Sequence, residues 1–416
     1  MLTPVDIALE SRLRATLPPA CFRERAPRYF EEPRGRYAGD AGLVLAPGQT
    51  SEVAAIVALA GETRTPVIPY GGGTGLVGGQ VAPDMPGPIV LSLERMTAIR
   101  AVYPEENVLI AEAGAILADV QAAAAGENRL FPLSLASEGS ARIGGVLATN
   151  AGGVNVLRYG NARDLCLGLE VVLADGTVWQ GLTRLRKDNA GYDLRNLMIG
   201  SEGTLGIITA AALTLAPIPA EQGTAVFTVP SPEAALTLLA LARDQLGDGI
   251  SAFELIHRQG FDFLTETLPE IRQPFSHPPE WCVLMDLGLP QGMAAAGAFE
   301  TLFELALAQG LTDDAVIAQS EQQRAELWSV REHIPEANRR IGSVSSHDIS
   351  LPLSAIPEFI QRAGPELARI GAFRINCFGH VGDGNLHYNV FPIPWRTRAD
   401  HDNQRVAIKR TVHDLV

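Results

Sequence analysis

Apolar residues in the first half of this chain fall into short runs that alternate with helical periodicities. Leu43-Val44-Leu45-Ala46 is a strand-length apolar run broken by Pro47-Gly48. Behind it, Thr50 or Ser51 can cap a helix through residues 52–60, where apolar positions recur at helical spacing. Val67-Ile68 predicts the next strand and leads straight into a glycine-rich stretch. Runs from Val108 to Gly114 and from Leu169 to Gly176 predict two more strands, the second closed by an Asp175-Gly176 turn. Residues 115–125 predict a helix. This alternation of short strands and helices predicts an α/β or α+β domain.

A boundary is expected near Ala216-Pro-Ile-Pro-Ala220, where two prolines interrupt the pattern. Beyond it, strand patterns at 224–229 and 281–287 mix with alanine- and leucine-rich helices at 232–245 and 291–309. They predict a second, α+β domain with a mainly antiparallel sheet. The chain shows no repeat of fixed period and no low-complexity tract.

Near the C-terminal end, Arg374-Ile-Asn-Cys-Phe-Gly-His-Val-Gly-Asp-Gly-Asn-Leu-His-Tyr-Asn-Val390 reads as a β-hairpin with a histidine on each arm. Asp-Gly is strongly preferred for a two-residue hairpin loop, because both central positions need φ > 0. With Asp383-Gly384 as that loop, Gly382 pairs with Asn385 and His380 with His387. Opposed Cβ atoms lie roughly 5 Å apart, close enough for two imidazoles to share a metal ion. Asn385 and Asn389 fall on the same face as His387, because side chains alternate along a strand. The plainer reading is a polar cross-strand pair on an exposed hairpin.

Composition narrows the function classes. The chain has 416 residues, 46% of them hydrophobic and 19% charged, enough for two or three ordinary globular domains. Its net charge of −14 argues against a nucleic acid partner. A small anionic substrate, which needs only a local cation cluster, is still allowed. No apolar run reaches the length of a spanning helix, and the N-terminus lacks the pattern of a secretory signal. Cys21, Cys166, Cys282 and Cys377 are scattered without metal-type spacing. Reduced thiols and a cytoplasmic location are the expectation.

Three small-residue segments remain. Pro69 to Gly79 holds six glycines between Gly71 and Gly79 and contains a formal GxGxxG. The proline-bearing stretch after it, Gly79-Gln-Val-Ala-Pro-Asp-Met-Pro-Gly-Pro88, cannot form the helix that a nicotinamide-type Rossmann motif requires. Backbone that must come close to phosphate oxygens does need such glycines, since several N–H groups can then converge on an anion. The second segment, Pro132 to Gly153, alternates hydroxyl side chains with the pairs Gly144-Gly145 and Gly152-Gly153, and the third runs from Ile199 to Thr209. Together they suggest a groove for a long dinucleotide.

In this order, and ending in His-x-Gly-Asp-Gly-Asn-x-His, the segments resemble the FAD-linked D-2-hydroxy acid dehydrogenases of the vanillyl-alcohol oxidase/p-cresol methylhydroxylase superfamily. The resemblance runs from Arg36-Tyr-Ala-Gly-Asp40 to the last residues. It implies an α+β protein in three parts: an N-terminal helical segment (1–35), a PCMH-type FAD-binding domain of two α/β subdomains (36–217), and a substrate or cap domain (218–416). It implies that Tyr70, Gly71, Gly72, Gly73, Thr74, Gly75 and Leu76, with Gly79 and Gln80, wrap the FAD pyrophosphate. Pro132, Ser137, Ser140, Ile143, Gly144, Thr149, Asn150 and Gly153 would line the ribityl chain and flavin ring, and Glu202 and Ile208 would meet the adenosine half. No histidine lies near the first glycine loop, so the flavin is expected to be non-covalent.

The resemblance further assigns His380 and His387 to a divalent metal, zinc foremost. It places Asn385 beside substrate and flavin as a catalytic group together with His387, and gives the substrate carboxylate to Arg331. Read without it, Arg331 would pair with a glutamate on a solvated helix face. Ser346 and Pro335 stand where relatives specific for 2-hydroxyglutarate carry a lysine and a threonine, so a monocarboxylic hydroxy acid is as good a candidate as a five-carbon diacid. The family continues past this point to a Glu-His-Gly segment with a third metal ligand and a base, so truncation or an incomplete site is expected.

The implied function is oxidation of a D-2-hydroxy acid to the 2-oxo acid, with electrons passed to an electron-transfer flavoprotein, a quinone or a cytochrome. A second copy of the chain is a candidate partner. The alternatives are an ether-lipid (alkylglycerone phosphate) synthase-like transferase and an FAD-binding subunit that needs partner chains.

Overall fold

The computed structural model describes residues 2–416, which divide into two compact units. The first comprises residues up to Asn155 and Tyr159–Ile218; the second comprises Val156–Arg158 and Pro219–Val416. The division falls inside the proline-bearing segment 216–220.

The first unit opens with α1 (Ile7–Thr16), β1 (Phe22–Arg23), β2 (Leu43–Leu45), α2 (Thr50–Thr63), β3 (Val67–Tyr70) and β4 (Ile89–Ser92). Their sheet has the order β1-β2-β4-β3, with β2 and β3 both parallel to β4. The first 35 residues are woven into this unit: β1 pairs with β2, and Leu9, Leu13, Leu17 and Cys21 are buried in its core. There follow β5 (Ile99–Tyr103), β6 (Val108–Glu112), α3 (Leu117–Gly126), β7 (Arg129–Leu130), α4 (Ile143–Ala148), α5 (Val156–Tyr159, all but its last residue counted with the second unit), β8 (Cys166–Leu173), β9 (Val178–Gly181), α6 (Leu194–Met198) and β10 (Gly206–Thr214). Five of these strands make an antiparallel sheet, β5-β6-β10-β8-β9, and β7 pairs with β11 (Ala216–Pro217). α4 packs on β10 and β6, and this places the second small-residue segment against the first: Gly71 faces Gly145.

The second unit is one seven-stranded antiparallel sheet with helices on both faces. Its elements are β12 (Glu221–Val229), α7 (Pro232–Leu246), β13 (Ile250–His257), α8 (Arg258–Thr267), β14 (Trp281–Leu289), α9 (Ala295–Ala308), β15 (Ala315–Ile317), α10 (Glu321–Ile341), β16 (Ser345–Ser350), α11 (Ile356–Ala368), β17 (Phe373–Gly379), β18 (Asn385–Pro392) and α12 (Arg405–Leu415). The strand order is β15-β12-β14-β13-β17-β18-β16. Every residue of β14 is buried, as a central strand covered on both faces requires. Phe227, Phe253 and Met285 turn toward α7, α9, α11 and α12, while Ile256, Leu284 and Phe378 turn toward α8 and α10. The α10 face is the one that matters for chemistry.

Two sequence expectations differ from the structure, and one strand was not expected at all. The hairpin is not closed by a two-residue loop. β17 ends at Gly379, a one-turn 3₁₀ helix covers Val381–Asp383, and β18 starts at Asn385. His387 therefore lies opposite Phe378, and His380 sits at the mouth of the connection rather than across the ladder. Gly379, with φ at +139°, turns the chain out of the ladder one residue before His380. The helix read at 291–309 begins only at Ala295. β13 has no counterpart among the sequence expectations, although β14, equally buried, does.

Among the described residues no helix is long and apolar enough to cross a membrane, and all four cysteines are unpaired and buried. His347 is nearly fully buried on the face of β16 opposite the site, its ring 5.5 Å from that of His413 on α12. Neither of its ring nitrogens has a hydrogen-bond partner. Burial first, then the His413 and Lys409 charges, hold its pKa down at about 4. Over that window an unfolded chain binds a proton that the folded one refuses. The His347 contribution to stability is thus complete above the ordinary imidazole pKa and is lost as pH falls toward 4, a loss of roughly 3 kcal/mol. Urea unfolding at a series of pH values should show H347F losing less stability than the parent between neutral and mildly acidic pH.

Candidate functional site

Two sites emerge, one in each unit. In the first unit a cleft of about 280 Å³ lies along the glycine-rich segments. Tyr70, Gly71, Gly72, Gly73, Thr74, Gly75, Gly79, Gln80, Ser137, Gly144, Thr149, Glu202 and Ile208 all line it. Among the described residues, no hydrogen bond takes up the backbone N–H groups of Gly72 through Gln80. Main-chain donors without a protein partner are what a phosphate-bearing ligand needs. Gly72 is required for packing as well as for approach: a Cβ there would run into the Ser140 carbonyl. Gly73 has φ at +70°, and its missing side chain leaves room for the Tyr70 hydroxyl, which donates to the Arg28 carbonyl at 2.7 Å. The backbone is strained at two non-glycine positions beside the cleft, Asn150 (φ +49°) and Glu202 (φ +51°), a feature that clusters at ligand sites.

Six residues expected to touch a cofactor do not line this cleft. Ile143 is fully buried in the core, and Pro132 is buried with its carbonyl accepting from Asn155. Asn150 uses its side-chain carbonyl to accept from the Arg163 N–H, Gly153 packs on the Ser134 carbonyl, Ser140 presents its carbonyl to Gly72, and Leu76 is exposed. They shape the loops that the cleft is made of. Arg142 lines the cleft without having been singled out; its guanidinium donates to the Gly114 carbonyl. No histidine or cysteine is among the lining residues described.

The second site sits on the α10 face of the large sheet. Its centre is Glu254, in the middle of β13, with no exposed surface. One oxygen accepts from Arg331 Nε at 2.7 Å, and the other meets His380 Nδ1 at 2.6 Å. Burial alone would push this carboxyl up, but Arg331 and His380 outweigh it and hold the pKa at about 2. Arg331 lies with its guanidinium carbon 4.8 Å from the Phe378 ring centre, and no described residue accepts from its Nη nitrogens. Phe378 in turn packs at 4.9 Å against the ring of His387. The His380 and His387 rings are 5.5 Å apart and nearly perpendicular. The hairpin register was misread, yet the two imidazoles do meet.

β16 supplies the outer partners. Asp348 stands opposite His387, 3.4 Å from its Nδ1, and accepts from Asn385 Nδ2 at 2.7 Å. His387 and the Asn385 amide lower its pKa against the opposing effect of burial. Asn385 Nδ2 also donates to the Ile349 carbonyl, so its own carbonyl oxygen is left as an acceptor. Asn389 lies further along the same face and accepts from the His347 backbone N–H. α10 is fixed to the sheet by buried Asp286, which accepts from Arg324, Trp328 Nε1 and Thr224. Trp328 and Arg324 lie one and two helical turns ahead of Arg331, so Asp286 sets where the guanidinium falls. Neither Glu254 nor Asp286 was legible in the sequence. Each is a lone acid within an apolar strand, and only the tertiary pairing gives it meaning.

Each imidazole presents Nδ1 to a carboxylate, and no described residue hydrogen-bonds to either Nε2, the arrangement typical of metal-ligating histidines. The fit is partial: among the described residues no three His, Cys, Asp or Glu side chains are grouped to hold an ion.

Comparisons with known proteins agree with the motifs. Residues 41–181 match the FAD binding domain family, and residues 218–406 match the C-terminal domain of FAD linked oxidases. The chain is 37% identical over 367 residues to a D-2-hydroxyglutarate dehydrogenase of Xanthomonas citri pv. viticola, covering 86% of this chain and 74% of that one. It is 39% identical over 356 residues to the mitochondrial D-2-hydroxyglutarate dehydrogenase of Bos taurus, covering 85% of this chain and 64% of the bovine protein. It likewise spans 63% of the length of two rice relatives. Among solved structures, an alkyldihydroxyacetonephosphate synthase superposes with a TM-score of 0.75 at 16% identity, over 99% of this chain and 79% of that one. At that identity the likeness shows a shared fold and nothing about activity. The resemblance read from the motifs, and the α+β PCMH-type fold it implied, are borne out.

Two outcomes follow for the cleft. G72A, which forces the loops apart, should purify with at least tenfold less flavin than the parent while the far-ultraviolet circular dichroism is retained. Acid precipitation of the parent should leave the yellow colour in the supernatant, as expected for flavin held without a covalent bond.

Proposed function

The chain belongs to the family of FAD-linked D-2-hydroxy acid dehydrogenases, and on that premise we propose that it oxidises a D-2-hydroxy acid to the corresponding 2-oxo acid. The single observation that carries this reading is the Arg331–Glu254–His380–His387 array on one sheet face. It sets a cationic fork and two imidazoles, linked through one buried carboxylate, on the same sheet face.

In this reading the Nη nitrogens of Arg331 take the substrate carboxylate, a task suited to a planar bidentate donor. The substrate hydroxyl faces the Nε2 atoms of His380 and His387, whose lone pairs can accept its proton. Asn385, held by Asp348 and the Ile349 carbonyl, turns its own carbonyl oxygen toward the same space. Burial of Arg331 and Glu254 keeps water away from the fork, so the carboxylate is held by a strong, weakly screened contact. Bound FAD supplies the two-electron acceptor for the Cα hydrogen, leaving as hydride while the hydroxyl gives up its proton. Those same Nε2 lone pairs would instead hold a divalent cation such as zinc, whose charge would lower the hydroxyl pKa so that the proton passes to solvent rather than to the imidazoles. Ser346, on the same strand face as Asp348, is bonded to Ser343 and brings no charge for a second carboxylate. That supports a monocarboxylic substrate as much as 2-hydroxyglutarate.

Anaerobic mixing tests the proposal. D-lactate or D-2-hydroxyglutarate should bleach the bound flavin while the L-enantiomers leave it oxidised, and the isolated chain should turn over with an artificial dye. Flavin that stays oxidised with every D-2-hydroxy acid tried would sink the reading. R331K keeps a cation beside Glu254 but loses the fork, and should raise KM at least tenfold. R331A strands a buried carboxylate at a cost of about 3–5 kcal/mol, so its expected phenotype is loss of folded protein.

A further inference from the structure

Resting on that functional reading, we propose that Glu254 is a positioning residue that keeps the His380 proton on Nδ1 and, through its other oxygen, sets the angle of the Arg331 fork. An ionised carboxylate only accepts hydrogen bonds, and both of its neighbours here must therefore donate. Arg331 Nε always does. His380 can do so only as the Nδ1–H tautomer, which leaves Nε2 as the outward lone pair when the ring is neutral. With Glu254 wholly buried, water cannot stand in for either contact. The carboxylate is itself held still: β13 is flanked by β14 on one side and β17 on the other, and Ile256 and Leu255 pair with Phe378 and Gly379 just before His380. One side chain thus sets both the group that grips the carboxylate and the nitrogen that faces the hydroxyl.

Glutamine is the informative replacement. It has nearly the same shape but one acceptor and one donor, so it cannot accept from two donors at once. With its oxygen on Arg331 Nε, its amide N–H must point at His380 Nδ1 and drive the ring proton to Nε2. Aspartate keeps two acceptors on a shorter stem and should preserve the tautomer.

The experiment uses the FAD-loaded full chain labelled with ¹⁵N-histidine, observed above the ordinary imidazole pKa, with the His380 signals assigned from H380Q. The parent and E254D should show the proton on Nδ1, and E254Q should show it on Nε2. E254Q should lose about 10–100-fold in kcat with flavin content unchanged, and E254D should recover part of that loss. A purely structural role would lower the melting temperature without moving the tautomer. The proposal is overturned if E254Q keeps Nδ1–H or turns over at the parental rate. Should E254Q fail to fold, E254D decides alone: an Nε2–H signal there overturns it. The tautomer is read without substrate, so a parent that oxidises no 2-hydroxy acid defeats the functional reading separately.

Discussion

A carboxylate with no exposed surface can stay ionised only if its surroundings repay the loss of water, and at Glu254 two donors do so. Arg331 comes from a helix on one side and His380 from the end of β17 on the other. Removing either would strand a charge in low dielectric, where an uncompensated ion is far more costly than a lost surface pair. Much of the second unit can be understood as the means of holding those three groups still. Asp286 docks α10 through Arg324 and Trp328, and Gly379 turns the chain out of the ladder one residue before His380, which reaches Glu254 on β13. Phe378 fills the space between the Arg331 guanidinium and the His387 ring.

The first unit meets the opposite requirement. There the backbone must present polar groups that the protein itself leaves unpaired, and it does so on a loop kept in place by contacts behind it. Gly72 backs onto Ser140, Gly73 onto the Tyr70 hydroxyl, and Tyr70 stacks edge-on at 5.3 Å against Tyr29. Tyr29 is itself bonded to Glu94, which also takes Arg23 and Arg28. Residues from the first 35 positions thus help to fix the glycine loop, although on sequence grounds they read as a separate helical segment. The strained backbone at Asn150 and Glu202 marks the same cleft from the side of the other two glycine-bearing segments.

The amino-acid sequence determined what depends on local pattern and on motif order. Helices with clear periodicity, such as α2, α3 and α7, were legible, as were strands bounded by turn residues. The order of three glycine-bearing segments and the closing His-x-Gly-Asp-Gly-Asn-x-His was sufficient to identify the family and the α+β fold, because those residues answer to ligand chemistry rather than to packing. What only the tertiary structure decided is the set of contacts across elements. β13 was not among the predicted strands, and with it went Glu254, whose partners lie 77 and 126 residues away. Asp-Gly favoured a tight loop, but the left-handed Gly384 closes a 3₁₀ turn instead, moving the register by two residues. Local propensity fixes short-range geometry; which buried charge meets which donor is set by long-range packing, and no window of sequence contains it.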